Sequence, residues 1–511
     1  MTATEEEVYN VPRGTAYLTS QQVLVYGTYL VFYVVLARIL SKTEVGQVAV
    51  LLLIQALFAG IISGSLPLAA TRFISRSIAA KNIENAAGVA RVILRLSLAI
   101  ATPVLAFTIF FTPTIARFLV DFTDPIGLLV TTFVASFFLD LLLLYTAFFL
   151  GAGRYAQTLY QNILYVPLSR GLGLALAFYQ FKVLGIVLGW AIGAATTVAL
   201  SVYLWHGQLP KGRSYPLKPI LAFALPVFVS GLITLGQQWG DIGIIYVLLG
   251  ATTVGSYYYA VSSVSFLSIL WMPVNQAIYP SLSASHASGN HQEASDRLAV
   301  SFRLINLTVL PISAALAAVA PTALEAVYGS QYRAEGLAFA ILCISSIFVA
   351  QSLLLITTLQ AVGHTRQYLT ITLVSTLIFI GFVALLTPLL NTLAGAFGRA
   401  LLALLTVLMA AFSLRKTFDT HVYSAMSKAL PLAVGVSVPL LVLDQFLIQY
   451  HPIRPIFELA ILLGVFIIAY GGISRQLRVF HHGDFAMLHD VLPMGLRPLL
   501  KKVQRIIVTG R

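Results

Sequence analysis

Long apolar runs separated by short polar segments set the pattern of this chain. About 20 predominantly apolar residues cover the ~30 Å hydrocarbon core as a helix. By that ruler the chain holds fourteen spans, at 16–40, 48–70, 92–112, 126–150, 159–180, 183–205, 220–249, 253–280, 302–320, 336–360, 368–388, 392–414, 429–448 and 455–474. None shows the two-residue alternation of a membrane barrel strand. A helix is the other structure that satisfies its own backbone in lipid. The pattern predicts an all-α polytopic membrane protein with about 14 transmembrane helices. Pro226 and Pro273 fall inside two of the spans and predict kinks there.

The spans repeat. Glu44-Val45-Gly46 recurs as Thr253-Val254-Gly255. Arg95, Pro103 and Pro113 recur as Arg303, Pro311 and Pro321, and Gly153 and Gly185 as Gly363 and Gly395. The offsets stay between 208 and 210 residues. Spans 1–6 and 7–12 therefore read as two six-helix bundles related by an internal parallel repeat, with spans 13 and 14 as two further C-terminal helices. Substrate sites of such folds lie at the repeat interface. The expected organisation is a cytoplasmic N-terminus (1–15), an N-terminal bundle (16–205), a cytoplasmic linker (206–219), a C-terminal bundle (220–414), helices 13 and 14 (415–474) and a basic amphipathic tail (475–511).

Composition narrows the class. The 511 residues would suggest three or four soluble domains. They are 59% hydrophobic and only 10% charged, with a mean hydropathy of +0.90. A soluble fold needs more polar cover than that. The net charge of +13 sits beside the spans, so it points to membrane orientation and not to nucleic acid. With the N-terminus inside, 22 Lys and Arg fall in cytoplasmic segments and 5 outside. The positive-inside rule then puts both termini in the cytoplasm of a multi-pass plasma-membrane protein. The acidic start, MTATEEEVYN, lacks the basic region of a cleaved signal peptide. The lone Cys343 excludes an intrachain disulfide and a cysteine-based metal site.

No phosphate-cradling loop, zinc-protease motif or nucleophile elbow occurs, and the longest hydrophilic stretches are the loop 281–299 and the tail. The expectation is a transporter, not an enzyme, without cofactor or metal. Its informative residues are charges inside spans, which are costly there and mark function. Asp140, Arg170, Asp241 and Arg399 are such residues. They read either as the lining of a polar cavity, with the arginines holding an anionic group, or as structural pairs, Asp140 with Arg170 above all. Guanidinium suits a phosphate because its planar fork donates two parallel hydrogen bonds. Polar stripes on spans 1 (Thr19, Gln22, Tyr26, Tyr29, Tyr33), 7 (Ser230, Thr234, Gln237, Asp241) and 8 (Ser265, Ser268, Asn275, Tyr279) favour the cavity, with helix–helix polar packing as the alternative. Arg95 and Arg303 read as interfacial anchors or a cytoplasmic gate, and Arg38 as a residue that snorkels to headgroups or joins a gate. Arg497, Lys501, Lys502 and Arg505 give the tail a membrane-binding basic face.

Four stretches carry a resemblance: ARILSKTEVGQ (37–47), LPVFVSGLITLGQQWGDIGIIYVLLGATTVGSYYYA (225–260), NQAIYPSLSASHASGN (275–290) and LQAVGHTRQY (359–368). With the span count and the repeat, the chain resembles the polysaccharide-type, Wzx-like flippases of the multidrug/oligosaccharidyl-lipid/polysaccharide (MOP) exporter superfamily. The resemblance implies two six-helix bundles around a cavity that opens to each side in turn. It also implies transfer of a lipid-linked oligosaccharide from the inner to the outer leaflet. Arg170 and Arg399 would then hold the (pyro)phosphate, and Tyr29, Tyr33 and Tyr258 would stack on sugars. Asp140 or Asp241 would couple turnover to H+ or Na+. Membrane lipids, a polysaccharide polymerase and glycosyltransferases are the implied partners. A cation-coupled drug exporter and a lipid II flippase are the competing readings. Fourteen spans and intramembrane arginines weigh against the first. The second lacks its expected dense basic cavity in spans 1, 2 and 8.

Overall fold

The computed structural model describes residues 11–62, 64–206, 215–288, 290–415, 426–450 and 454–476. The start of the acidic N-terminus, Lys211 and Arg213 of the linker, and the basic tail from 477 onward lie outside the described residues. Helices, and no β-strand, make up the elements among the described residues. Eleven stretches are long and apolar enough to cross a membrane. Two of them, Tyr155–Trp205 and Leu217–Leu270, hold 51 and 54 residues, enough for two passes each. With the shorter apolar helix Ala433–Gln449 they accommodate the fourteen passes expected. The chain divides into two units, Met1–Gly255 and Ser256–Arg511.

The first unit contains α1 (Val11–Ile39), α2 (Lys42–Ile62), α3 (Leu66–Ala79), α4 (Ile83–Phe110), α5 (Thr112–Ala116), α6 (Pro125–Gly151), α7 (Tyr155–Leu176) and α8 (Lys182–Trp205). It also holds most of α9 (Leu217–Ser265), within which the unit boundary falls. The expected span 48–70 is in fact two helices: α2 ends at Ile62, and α3 restarts at Leu66 with Pro67 in its first turn. Local chemistry sets other starts. Asn82 and Asp124 accept backbone N–H groups of Asn85 and Gly127 and so cap α4 and α6. Leu66, Ile74, Val89, Phe148 and Phe149 form a core joining α3, α4 and α6. Along α8, Gly185, Gly189 and Gly193 form a small-residue seam against Ala177, Gly173 and Ser169. A methyl group on any of them would crowd that backbone, so the seam lets α7 and α8 pack closely.

The second unit carries the end of α9, α10 (Met272–Ala287), α11 (His291–Ala318), α12 (Ala320–Tyr328), α13 (Gly336–Ala361), α14 (Thr365–Leu390), α15 (Thr392–Leu414), α16 (Met426–Tyr450) and α17 (Pro455–Gln476). Its core, with Leu298, Phe302, Leu354 and Leu359, ties α10, α11 and α13 together. The hydrophilic stretch read as the loop 281–299 is mostly helix. It turns only between α10 and α11, where the Asn290 side chain caps α11 by accepting Glu293 N–H. The expected kinks also shift. Pro226 sits within α9, whose non-helical residue is Gly250 (φ 81°). Ahead of Pro273 the chain tightens into a 3-10 turn at Phe266–Leu270, where the proline cannot donate to the preceding turn.

The repeat is visible inside each unit. Pro103 and Pro311 lie within α4 and α11, and Pro113 and Pro321 open α5 and α12. Gly153 (φ 70°) and Gly363 (φ 81°) make the same left-handed turn, the first into α7 and the second into α14. Residue matching had not paired Lys182 with Asn391. Both adopt one unusual backbone conformation, with φ/ψ of 47°/−126° and 50°/−130°, as they open α8 and α15.

Candidate functional site

Arg170 lies one turn beyond Pro167 on α7, on the side that packs against α1 and α8. It is 7% exposed. Its Nη2 donates to the Tyr29 hydroxyl at 3.2 Å. The guanidinium carbon lies 4.9 Å from the Tyr29 ring centre, 5.1 Å from Phe32 and 5.4 Å from Trp190. Tyr33 stacks on Tyr29 at 6.2 Å and meets Phe32 edge-on at 5.3 Å. The cation is thus held in an aromatic cage built by α1 and α8. Each such contact contributes about 0.5–2 kcal/mol, more as water is excluded.

The cage does not supply a counter-charge. Arg170 forms no ion pair among the described residues, so the Asp140–Arg170 pair left open by the sequence is not formed. Its Nε and Nη1 are buried and donate to no protein acceptor. A buried charge without its partner costs several kcal/mol. An incoming anion would remove that cost, and the two open N–H directions match the bidentate geometry of a phosphate or carboxylate.

The structure brings Tyr29, Tyr33 and Arg170 together and disperses the remaining candidates. Asp140 is fully buried on α6, and Asp241 fully buried on α9. Gln237 is half-buried on α9. In the second unit Asn275 is buried on α10, donates to the Trp271 carbonyl at 3.0 Å and accepts from the Thr357 hydroxyl at 3.4 Å. Arg399 is half-buried on α15. Of the gate candidates, Arg38 ends α1 and Arg95 sits on α4, both exposed, while Arg303 is half-buried on α11. Tyr258 is buried. On the α9 stripe, the Ser230 and Thr234 hydroxyls donate back to the carbonyls of Pro226 and Ser230.

Phe32 and Trp190 were missed from the sequence. Phe32 had a signal, lying three residues after Tyr29 on the same face. Trp190 had none, being an apolar residue in an apolar span. Polar groups also serve as packing. Gln161 of α7 accepts from Thr146 of α6 at 3.0 Å and donates to Ser201 of α8 at 2.8 Å. Gln351 donates to Asn306 at 2.8 Å, joining α13 to α11. Two surface grooves, of about 510 and 680 Å³, lie at the ends of α8 and of the α14–α15 pair and contain none of the predicted cavity residues.

Residues 11–286 match the model of a family described as polysaccharide biosynthesis protein. No curated protein sequence matches the chain. Several solved structures share its fold. The lipid II flippase MurJ in an inward closed conformation has a TM-score of 0.69 and 14% identity, over 91% of this chain and 99% of that one. An inward-facing multidrug resistance MATE family transporter of the MOP superfamily has a TM-score of 0.64 and 16% identity, over 76% of this chain and 96% of that one. A MOP superfamily transporter from Pyrococcus furiosus, described as having a binding pocket of reversed polarity, has a TM-score of 0.54 and 16% identity, over 80% and 96%.

Proposed function

The chain belongs to the polysaccharide biosynthesis protein family, the Wzx-like branch of the MOP superfamily, and from that premise we propose that it flips a polyprenyl-(pyro)phosphate-linked oligosaccharide from the inner to the outer leaflet of the cytoplasmic membrane by alternating access. The observation that carries this reading is Arg170, a buried guanidinium with two open donor directions and no acidic partner among the described residues. A transporter of cationic drugs would call for buried acid at such a place. A lipid-linked glycan brings the anion that Arg170 lacks.

In this reading the phosphate docks on Nε and Nη1 of Arg170, and the Tyr29 and Tyr33 rings offer flat faces to the first sugars. The polyprenyl chain stays in lipid, so only the head needs a polar path. Arg399 is a candidate for the same anion chemistry in the second unit. Asp140 and Asp241 are the buried carboxylates that H+ or Na+ would neutralise in a coupled cycle.

The test is deletion in the host followed by mass analysis of polyprenyl-linked sugars. Accumulation of one lipid-linked glycan, with loss of a surface polysaccharide, is the expected result and identifies the substrate. An unchanged lipid-glycan pool together with new sensitivity to cationic drugs would refute the proposal.

A further inference from the structure

Helices α14 and α15 form a hairpin turned by Asn391, so the start of α14 and the end of α15 lie together. The open end of this hairpin forms the 680 Å³ groove. Its charged lining groups are Arg366, the second residue of α14, and Arg415, the residue after α15. No carboxylate lines it, and neither arginine has an acidic partner among the described residues. The Arg415 guanidinium lies 3.7 Å from the centre of the Phe412 ring, and the Ser413 hydroxyl donates to Gln367 Oε1 at 2.5 Å. Below the polar mouth, Leu408 and Phe412 remain 56% and 64% exposed.

Depth decides what suits this groove. Both arginines terminate membrane passes of 26 and 23 residues, so they stand at headgroup level. Basic pockets between transmembrane helices at that level recognise anionic headgroups. The exposed apolar surface runs from the arginines along the α15 pass, where an acyl chain would run. A free phosphate would use the two guanidiniums and leave the apolar wall bare. We propose that the open end of the α14–α15 hairpin is a binding site for an anionic phospholipid, its phosphate between Arg366 and Arg415 and one acyl chain along Leu408 and Phe412. This site is separate from Arg170 and does not depend on the flippase reading.

The probe is phosphatidylglycerol carrying a photoactivatable acyl chain, added to the purified full chain in phosphatidylcholine nanodiscs. Peptide mapping should find crosslinks on the 404–415 segment. R366Q/R415Q should lower that yield about tenfold or more, from the attraction of two basic groups for an anionic surface. R366K/R415K should keep most of it, which separates lost charge from misfolding. Unlabelled phosphatidylglycerol should compete, while phosphatidylcholine and inorganic phosphate should not. Undiminished crosslinking in R366Q/R415Q, equal competition by phosphatidylcholine, or full displacement by inorganic phosphate alone would each overturn the proposal.

Discussion

Gly46 and Gly255 hold equivalent places in the internal repeat, and each lies against the other's helix. A methyl group on Gly46 would overlap the Ala251 carbonyl oxygen, and one on Gly255 would overlap the Lys42 carbonyl oxygen. Lys42 and Ala251 are themselves repeat equivalents, as are Thr43 and Thr252, whose hydroxyls meet at 2.7 Å. The contact is therefore reciprocal: the start of α2 and the α9 segment after Gly250 touch through matched residues. Asp121 adds a cap by accepting the Ala251 N–H at 2.7 Å, and Gln47 donates to the Asp121 carbonyl at 2.6 Å.

Because the obstructing atoms are backbone, a side chain at either glycine must separate the helices. Gly46→Val and Gly255→Val should each destabilise the purified protein by roughly 1–3 kcal/mol, the usual range for overpacking. Gly381→Ala on α14, where no atom lies within 4 Å of the added carbon, is the control and should not lower the melting temperature. Equal melting temperatures for Gly46→Val and Gly381→Ala would disprove the close approach.

Arg170 separates stability from function. Replacing a buried charge by an apolar side chain of similar length is often neutral or stabilising. Arg170→Met should therefore fold and melt at or above the wild-type temperature while lipid-linked glycan accumulates as in the deletion. Arg170→Lys keeps the charge but loses the planar fork and its stacking, so activity should fall at least tenfold. Wild-type glycan flux in Arg170→Met would remove this residue from the transport path.

Much of the fold was legible because membrane passes announce themselves by length and apolarity, and these survive any error in the ends. Arg170 was legible for a related reason: charge in a span is conspicuous. Its cage was not, since Trp190 lies on another helix and an indole does not stand out among apolar neighbours. The breaks were misplaced where a proline was taken as the signal. Pro226 is absorbed within α9, whereas Gly250, one of 36 glycines, carries the positive φ. The stretch 281–299 looked like a loop because it is polar, yet that polarity includes the Asn290 cap that starts α11. Lys182 and Asn391 were not matched because the repeat preserves their backbone conformation and not their side chains.

Glu44 has two jobs that substitution can divide. Its carboxylate accepts the Ser41 N–H at 2.8 Å, while the Ser41 hydroxyl accepts the Glu44 N–H at 3.3 Å, a reciprocal box at the start of α2. It also pairs with Lys182 at 2.9 Å, whose side chain is 62% exposed. Glu44→Gln keeps an acceptor for the cap and loses only the solvent-screened pair, worth about 0–1 kcal/mol. Glu44→Ala loses both, with a further cost of about 1 kcal/mol for the cap. Thermal melts should therefore rank wild type, Glu44→Gln and Glu44→Ala in falling order. A larger loss from Glu44→Gln than from Ser41→Ala would show that the ion pair outweighs the box.

Asn391 tests the strain at the helix starts. Its φ of 50° with ψ of −130° is a conformation that side-chain-bearing residues rarely adopt, and such outliers cost of order 1–3 kcal/mol. The Asn391 side chain makes no capping bond to α15, so nothing offsets that cost locally. Glycine adopts this conformation freely but gives up roughly 0.5–1 kcal/mol of chain entropy on folding. The strain relieved exceeds the entropy lost, and Asn391→Gly should raise stability by about 1 kcal/mol. Lys182 shares the conformation, yet Lys182→Gly also removes the pair with Glu44, so its gain should be smaller. Melting temperatures of the two variants beside wild type decide the matter: Asn391→Gly highest is the expected order, and a destabilised Asn391→Gly would mean that the backbone at this turn is unstrained.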